Sequence, residues 1–179
     1  MDIEQFVAQT EGEWKSMRSA HSLAFQQFED VLSEISVHRI SQTNSDLKNI
    51  LNQEKDLSIS QISSPFLMKW SAESDWEPDD PNDVASGECI IIPIPTTSDS
   101  GLLIRSVGYA ESIAAKSEYS FLDDGTFVLK TIYDQSIAEE RIWFISENVR
   151  CRSSVLKTSE GSGILQTSFS SEVRRLKKG

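Results

Sequence analysis

Residues 139–156 read EERIWFISENVRCRSSVL, two strand-like runs (141–145 and 149–156) on either side of a turn cluster at Ser146, Glu147 and Asn148. Side chains alternate across a strand, so Arg150, Arg152 and Ser154 share one face, and Val149, Cys151, Ser153 and Val155 the other. In the preceding run Glu140, Ile142 and Phe144 oppose Arg141, Trp143 and Ile145. Two arginines two positions apart set a pair of planar forks on one face, about 7 Å apart along the strand. Such a pair suits a ligand carrying two carboxylates or phosphates. The same spacing is also compatible with two arginines that simply face water.

The pattern of period two recurs along most of the chain. A short amphipathic helix over 2–9 places Ile3, Phe6 and Val7 on one side. Strands follow at 12–21, with Trp14, Ser16, Arg18 and Ala20 together, and at 30–41. Residues 23–28 are ambiguous. Asn44 or Ser45 is placed to cap a helix to about residue 56, with Leu47, Ile50 and Leu51 on its apolar face. The run 66–76 aligns Phe66, Met68, Trp70, Ala72, Ser74 and Trp76. In 88–96 Pro93 and Pro95 push the strand towards an edge or a bulge. Strands at 102–110, 119–122 and 126–133 come next, the last two joined at Asp123-Asp124-Gly125, and a final strand spans 163–174.

About ten strands joined mostly by short turns, with helices confined to the first third, favour an antiparallel β-barrel that closes on itself and removes its edges. Barrels of about eight to ten strands can hold one small ligand. A sandwich is the other architecture that alternation allows. The last strand aligns Gln166, Ser168, Ser170 and Glu172 on one face. Such a row is usually a solvent face. A lumen lined by Arg and Glu would instead await a polar ligand, because buried charges must be paired or bonded.

Composition narrows the function. In 179 residues, 17 Lys and Arg against 28 Asp and Glu leave a net charge of −11. That argues against a nucleic-acid or anionic-membrane binder. The basic stretch at 174–178 reads as a solvated tail. The N-terminal residues lack a basic region followed by an apolar one, and no apolar run approaches the roughly 18 residues that span a bilayer. Cys89 and Cys151, with His21 and His38, have neither metal-ligand nor disulfide-framework spacing, so no metal is expected. A single soluble, cytoplasmic domain over 1–179 is expected.

Six segments carry a resemblance. They are WKSMRSAHSLAF at 14–25, MKWSAESDW at 68–76, LLIRSVGYAE at 102–111, EERIWF at 139–144, NVRCRSS at 148–154 and SFSSEVR at 168–174. In order and spacing the chain resembles the S-type (CpcS/CpeS-type) phycobiliprotein lyases. The resemblance implies a lipocalin-like or fatty-acid-binding-protein-like barrel that binds a linear tetrapyrrole, a bilin such as phycocyanobilin or phycoerythrobilin. It further implies delivery of that bilin to a cysteine of a phycobiliprotein subunit of phycocyanin, allophycocyanin or phycoerythrin type, through a thioether. Homodimers, or heterodimers with a paralogous lyase, are compatible with it. The pocket residues it implies are Arg18, Met68, Trp70, Trp76, Glu140, Arg150, Arg152, Ser154 and Glu172, with His21 as a further candidate.

On that implied site, Arg150 and Arg152 are expected to bind the bilin propionates, and Trp70, Trp76 and Met68 to pack on the pyrrole rings. Glu140 is expected to hold pyrrole N–H groups or to protonate the conjugated system as the thiol adds, unless it only pairs with Arg141 or Arg150. The acceptor supplies the thiol, so neither Cys89 nor Cys151 is required as nucleophile, and Cys151, opposite the arginines, is assigned to packing. Two other classes remain open: a carrier of fatty acid or another apolar small molecule, and a non-catalytic bilin chaperone or partner subunit of a lyase.

Overall fold

A computed structural model describes residues 1–53, 57–73, 86–106, 115–160 and 163–176. Helix α1 (Ile3–Thr10) leads into ten strands: β1 (Gly12–Ser22), β2 (Gln27–Arg39), β3 (Phe66–Glu73), β4 (Ser86–Pro95), β5 (Ser100–Arg105), β6 (Ala115–Phe121), β7 (Phe127–Ile132), β8 (Ser136–Ser146), β9 (Val149–Thr158) and β10 (Ile164–Arg174). Helix α2 (Ser45–Gln53) lies between β2 and β3. Each strand pairs antiparallel with its neighbours in sequence, and β1 closes on β10, so the sheet is a complete barrel without an edge. The barrel expected from alternation is therefore the fold, and the sandwich is not. Ser74 and Trp76, and the second half of the strand expected over 102–110, lie outside the described residues.

Helix α1 seals one end of the barrel. Asp2 caps it, its side chain accepting from the Gln5 amide at 2.8 Å while Gln5 reaches back to the Asp2 amide at 3.0 Å. The buried face holds Ile3, Phe6, Val7 and Thr10. Phe6 stacks on Phe127 at 4.3 Å between ring centroids and meets Phe121 and Phe144 edge-on. The helix stops at Glu11, and Gly12 turns the chain into β1 with φ +131, a backbone that a side chain would strain. A Cβ there would also run into the Arg174 guanidinium.

Arg174 is the staple of this end. It donates to the carbonyls of Gln9, Glu11 and Glu147, and lies over the buried Trp14 indole at 4.3 Å. Trp14 in turn donates Nε1–H to the Thr10 carbonyl at 2.8 Å. The expectation of a solvated basic tail thus fails at Arg174, because three helix-terminal and turn carbonyls need a donor there. It holds better for Arg175, which reaches Glu34 on the exposed surface.

Strands β4 and β5 are apolar on both faces. Ile91 and Leu103 point into the barrel, while Ile92, Ile94 and Ile104 point outward and are covered by Leu47 and Leu51 of α2. Asn44 fixes α2 by accepting from the amides of Asp46 and Leu47. Pro93 and Pro95 are tolerated in a closed barrel for a local reason. Pairing of β3 with β4 ends at Phe66 opposite Ile91, so beyond that point β4 has a ladder only on the β5 side. The Pro93 carbonyl accepts from the Ser63 amide instead.

Removing the staple is expected to open the sealed end. Arg174→Ala leaves three carbonyls without their donor and should cost about 2 kcal/mol or more, read from urea unfolding. Arg175→Ala should change stability by less than about 1 kcal/mol.

Candidate functional site

The register of β1, β10, β9 and β8 stacks the polar inward side chains in rows. Ser16, Glu172, Arg150 and Phe144 are direct partners in one row across the four strands, and Arg18, Ser170, Arg152 and Ile142 form the next. One step further from α1 come Ala20, Ser168, Ser154 and Glu140. The Gln166, Ser168, Ser170 and Glu172 row is therefore inside the barrel, although such a row is usually a solvent face. Closure of the sheet decides this, since every strand of a small barrel must turn one face to the lumen.

Five ionised side chains make a continuous chain across the lumen. Arg150 donates from Nε to Glu172, and both side chains are 1% exposed. Arg152 lies between the two carboxylates, its Nε 3.8 Å from Glu172 and its Nη1 3.9 Å from Glu140. Arg105 comes from the opposite wall, on β5, and reaches Glu140 at 3.1 Å. Arg105 also donates to the Thr131 hydroxyl at 3.3 Å, and Thr131 shares a hydrogen bond with Ser117 at 2.7 Å. Glu140 is thus held by Arg105 and Arg152, not by Arg141 or Arg150. Arg141 points outward to Glu139.

Burial and neighbouring charge act against each other on the innermost pair. Burial pushes the Glu172 carboxyl up. Arg152 and Arg150, with hydrogen bonds from Arg150 and Ser16, more than reverse that and hold it below the usual carboxylate range. For Arg150 the opposite holds. Burial pulls its guanidinium down to about 10, and the attraction of Glu172 does not offset this because Arg152 and Arg174 repel it.

The cluster separates two cavities. The outer one, about 750 Å³, extends towards the end of the barrel opposite α1 and is bordered by Arg18, Ser33, Asp134, Ser154, Gln166 and Ser168 among others. The inner one, about 420 Å³, is bordered by Ile3 and Phe6 of α1 and by Phe66, Ile91, Leu103, Phe127, Leu129 and Ile142. Met68, Trp70, Glu140 and Arg152 border both. The Trp70 ring packs on Gly87, where a Cβ would sit 2.4 Å from the indole, so a larger residue there would displace the ring. Both volumes lie in the range of small-molecule sites.

Most of the residues expected at the site come together here. Met68, Trp70, Glu140, Arg152, Ser154, Glu172 and Arg18 border the outer cavity, and Arg150 borders the inner one. Arg18 is at the rim, 3.1 Å from Glu29 and 39% exposed. Ser154 shares a hydrogen bond with Ser168 at 2.7 Å. Trp76 lies outside the described residues. His21 borders neither cavity, and its ring stacks on the exposed Phe28 at 4.7 Å. Cys151 sits on the outer face opposite Trp143, while Cys89 borders the inner cavity. Arg105, Thr131 and Ser117 are the members that sequence reasoning missed. The available signal was Leu103 and Arg105 on one face of an otherwise apolar strand, a charge where only burial is expected.

A closed ten-stranded barrel whose lumen carries charged and aromatic side chains is lipocalin-like in form. Residues 2–175 match the family described as CpeS-like protein, and the chain belongs to that family. It is 46% identical over 176 residues to chromophore lyase CpcS/CpeS 3 of Trichodesmium erythraeum, covering 97% of this chain and 99% of that one. It is 38% identical to a putative phycoerythrobilin lyase CpeS of Microchaete diplosiphon, over 89% of this chain and 71% of the relative. The solved S-type phycobiliprotein lyase from Guillardia theta superposes with a TM-score of 0.84 at 35% identity, covering 99% of this chain and 95% of that one.

The innermost pair makes a stability prediction with a defined pH dependence. Glu172→Gln leaves Arg150 buried without its counter-charge and is expected to cost roughly 3–5 kcal/mol at neutral pH. Because the folded carboxyl titrates below its unfolded value, the contribution of its charge is complete above the ordinary carboxylate range. It is lost as the pH falls through the folded value. Unfolding of wild type and variant between neutral and acid pH should show the difference shrinking on acidification.

Proposed function

We propose that this protein binds a bilin non-covalently in the barrel and adds it to a cysteine of a phycobiliprotein subunit. The observation that carries the reading is the ion chain Arg105–Glu140–Arg152–Glu172–Arg150, set beside Trp70 and Met68 in a lumen of bilin-compatible size. A linear tetrapyrrole offers what such a lumen lacks: propionates for the guanidinium groups and flat conjugated rings for the indole and thioether. The curated relative named for phycoerythrobilin supports the ligand class. Whether this chain takes phycoerythrobilin or phycocyanobilin is a question for direct titration with both.

In this reading Arg152 holds a propionate, with Arg18 as a second cation at the rim of the polar cavity. Glu140, 14% exposed and braced by Arg105, faces the conjugated system as an ionised carboxylate that orients pyrrole N–H groups. The reaction itself is an addition. The acceptor's sulfur bonds to the exocyclic carbon of the bilin's ethylidene group, the carbon–carbon double bond opens, and the thiol proton ends on the adjacent ring carbon. No oxidant or reductant is consumed. A bilin held in one conformation presents one carbon and one face to the thiol, so positioning supplies much of the rate, and Glu140 can assist the proton movement. A carrier of uncharged apolar molecules would have no use for the charged groups in this lumen.

Two experiments test this. Free bilin should give a red-shifted, sharpened band on binding, and the colour should leave the protein on acid denaturation. Arg152→Ala should weaken binding by about 1.5–3 kcal/mol, whereas Arg175→Ala should not change it. An equal effect from both would reduce the binding to general electrostatics. Glu140→Gln keeps size and removes charge: it should still bind bilin but transfer it to an apo-subunit about 10²–10⁴-fold more slowly. An unchanged rate would leave Glu140 as an ion-pair partner only.

A further inference from the structure

Arg150 and Arg152, adjacent on one strand face, do different work. Arg150 spends Nε on Glu172 and lies over Trp14 at 4.2 Å. Its Nη1 and Nη2 are buried, and among the described residues neither has a hydrogen-bond partner. Buried donors without acceptors cost about 1–3 kcal/mol each, so this is a position prepared for an acceptor that the protein does not itself provide. The cavity that Arg150 borders is the apolar one sealed by α1. Its counter-charge is already present in Glu172, so the group has donors to spare but no charge to spare. A neutral carbonyl oxygen fits that state. A second carboxylate would have to be desolvated among Phe66, Leu103, Phe127 and Leu129 and set beside Glu88 and Glu140, in a cavity whose other cations, Arg105 and Arg152, already face Glu140. Arg152, 3.8 Å from Glu172 and 3.9 Å from Glu140, borders both cavities and is placed to meet a carboxylate in the outer one.

A bilin carries both kinds of acceptor. Its propionates lie on the two middle rings, and each end ring is a lactam with a neutral carbonyl and small apolar substituents. We infer that the end ring that does not react enters the inner cavity, where Arg150 donates to its lactam carbonyl. The ethylidene-bearing ring then lies in the outer cavity, towards the end of the barrel away from α1. This orientation rests on the bilin reading given above and adds a direction to it. It is also what the addition requires, because α1, Trp14 and the Arg174 staple close the inner end against a thiol from another protein. The inner cavity thereby becomes the part of the site that reads the substituents of the unreactive ring.

The direction can be read with cysteines. Cys89 already borders the inner cavity, and Ser168 borders the outer one, where Ser168→Cys is nearly isosteric. Each protein is incubated with phycocyanobilin or phycoerythrobilin, denatured in acid and mapped by peptide mass spectrometry. Wild type should release its bilin, and Ser168→Cys should retain it on residue 168, at least tenfold above any adduct on Cys89. Gln166→Cys, further towards the same end, provides a second reporter. Bilin on Cys89 in any of these proteins would place the reactive ring inside and overturn the inference, as would the absence of an adduct at both 168 and 166. Arg150→Lys keeps a cation opposite Glu172 and removes the two Nη donors. It should bind bilin about tenfold more weakly while a thermal melt shows it folded, and unchanged affinity would remove Arg150 from the carbonyl. If wild type gives no bilin band at all, the bilin reading itself fails, a result distinct from each of these.

Discussion

The structure depends on one buried ion pair, Arg150 with Glu172, and on what lets it stay buried. Desolvating two ions costs several kcal/mol each, which their mutual attraction recovers only with good geometry and further hydrogen bonds. Here the geometry comes from strand register, since Arg150 and Glu172 are direct partners on β9 and β10. Additional support comes from the Ser16 hydroxyl on β1 and from the Trp14 face beneath the guanidinium. The pair is still unequal, with Glu172 held firmly ionised and Arg150 pulled down. A core selected for stability alone would place leucines there. Retaining the pair makes sense as a fixed end for the chain of charges that continues through Arg152 to Glu140 and Arg105.

Stability is supplied elsewhere, which frees the lumen for that chain. The aromatic cluster of Phe6, Tyr119, Phe121, Phe127 and Phe144 packs at the sealed end. The isoleucines of β4 and β5 bury a second apolar layer outside the barrel, against α2. Burial at roughly 25 cal/mol per Å² of apolar surface makes these two clusters the main favourable terms. The half of the wall formed by β1, β8, β9 and β10 carries the Ser, Arg, Gln and Glu rows and contributes closure and chemistry more than apolar burial. One barrel thus divides into an apolar inner cavity and a polar outer one, with Met68, Trp70, Glu140 and Arg152 at the boundary.

How much of this could be seen in the sequence follows from what period two encodes. Alternation shows which side chains share a face, and it placed Arg150 with Arg152 and Ser154, and Trp14 with Ser16 and Arg18, correctly. It does not say which face is inside, so the Gln166–Glu172 row could be settled only by closure. Nor does it give partners across the lumen. Arg105 meets Glu140 from a strand 35 residues away, and no local pattern announces that contact. Arg174 looked like the start of a basic tail because its acceptors are carbonyls of a helix end and a distant turn, which carry no side-chain signature. Pro93 and Pro95 gave a local truth with the wrong scope: the ladder on one side of β4 does stop there, yet the strand belongs to a closed barrel.

The central claim is that guanidinium groups in the lumen, Arg152 in particular, recognise the ligand's carboxylates. It is tested most directly by comparing a bilin with its propionate dimethyl ester, which keeps the conjugated system and removes both charges. For wild type the free acid should bind about 10–100-fold more tightly than the ester, the equivalent of one or two charge-assisted hydrogen bonds. For Arg152→Ala the two forms should bind within about threefold of each other, a difference below 1 kcal/mol. Equal binding of acid and ester by wild type would contradict the account and leave the ion chain as architecture without a part in recognition.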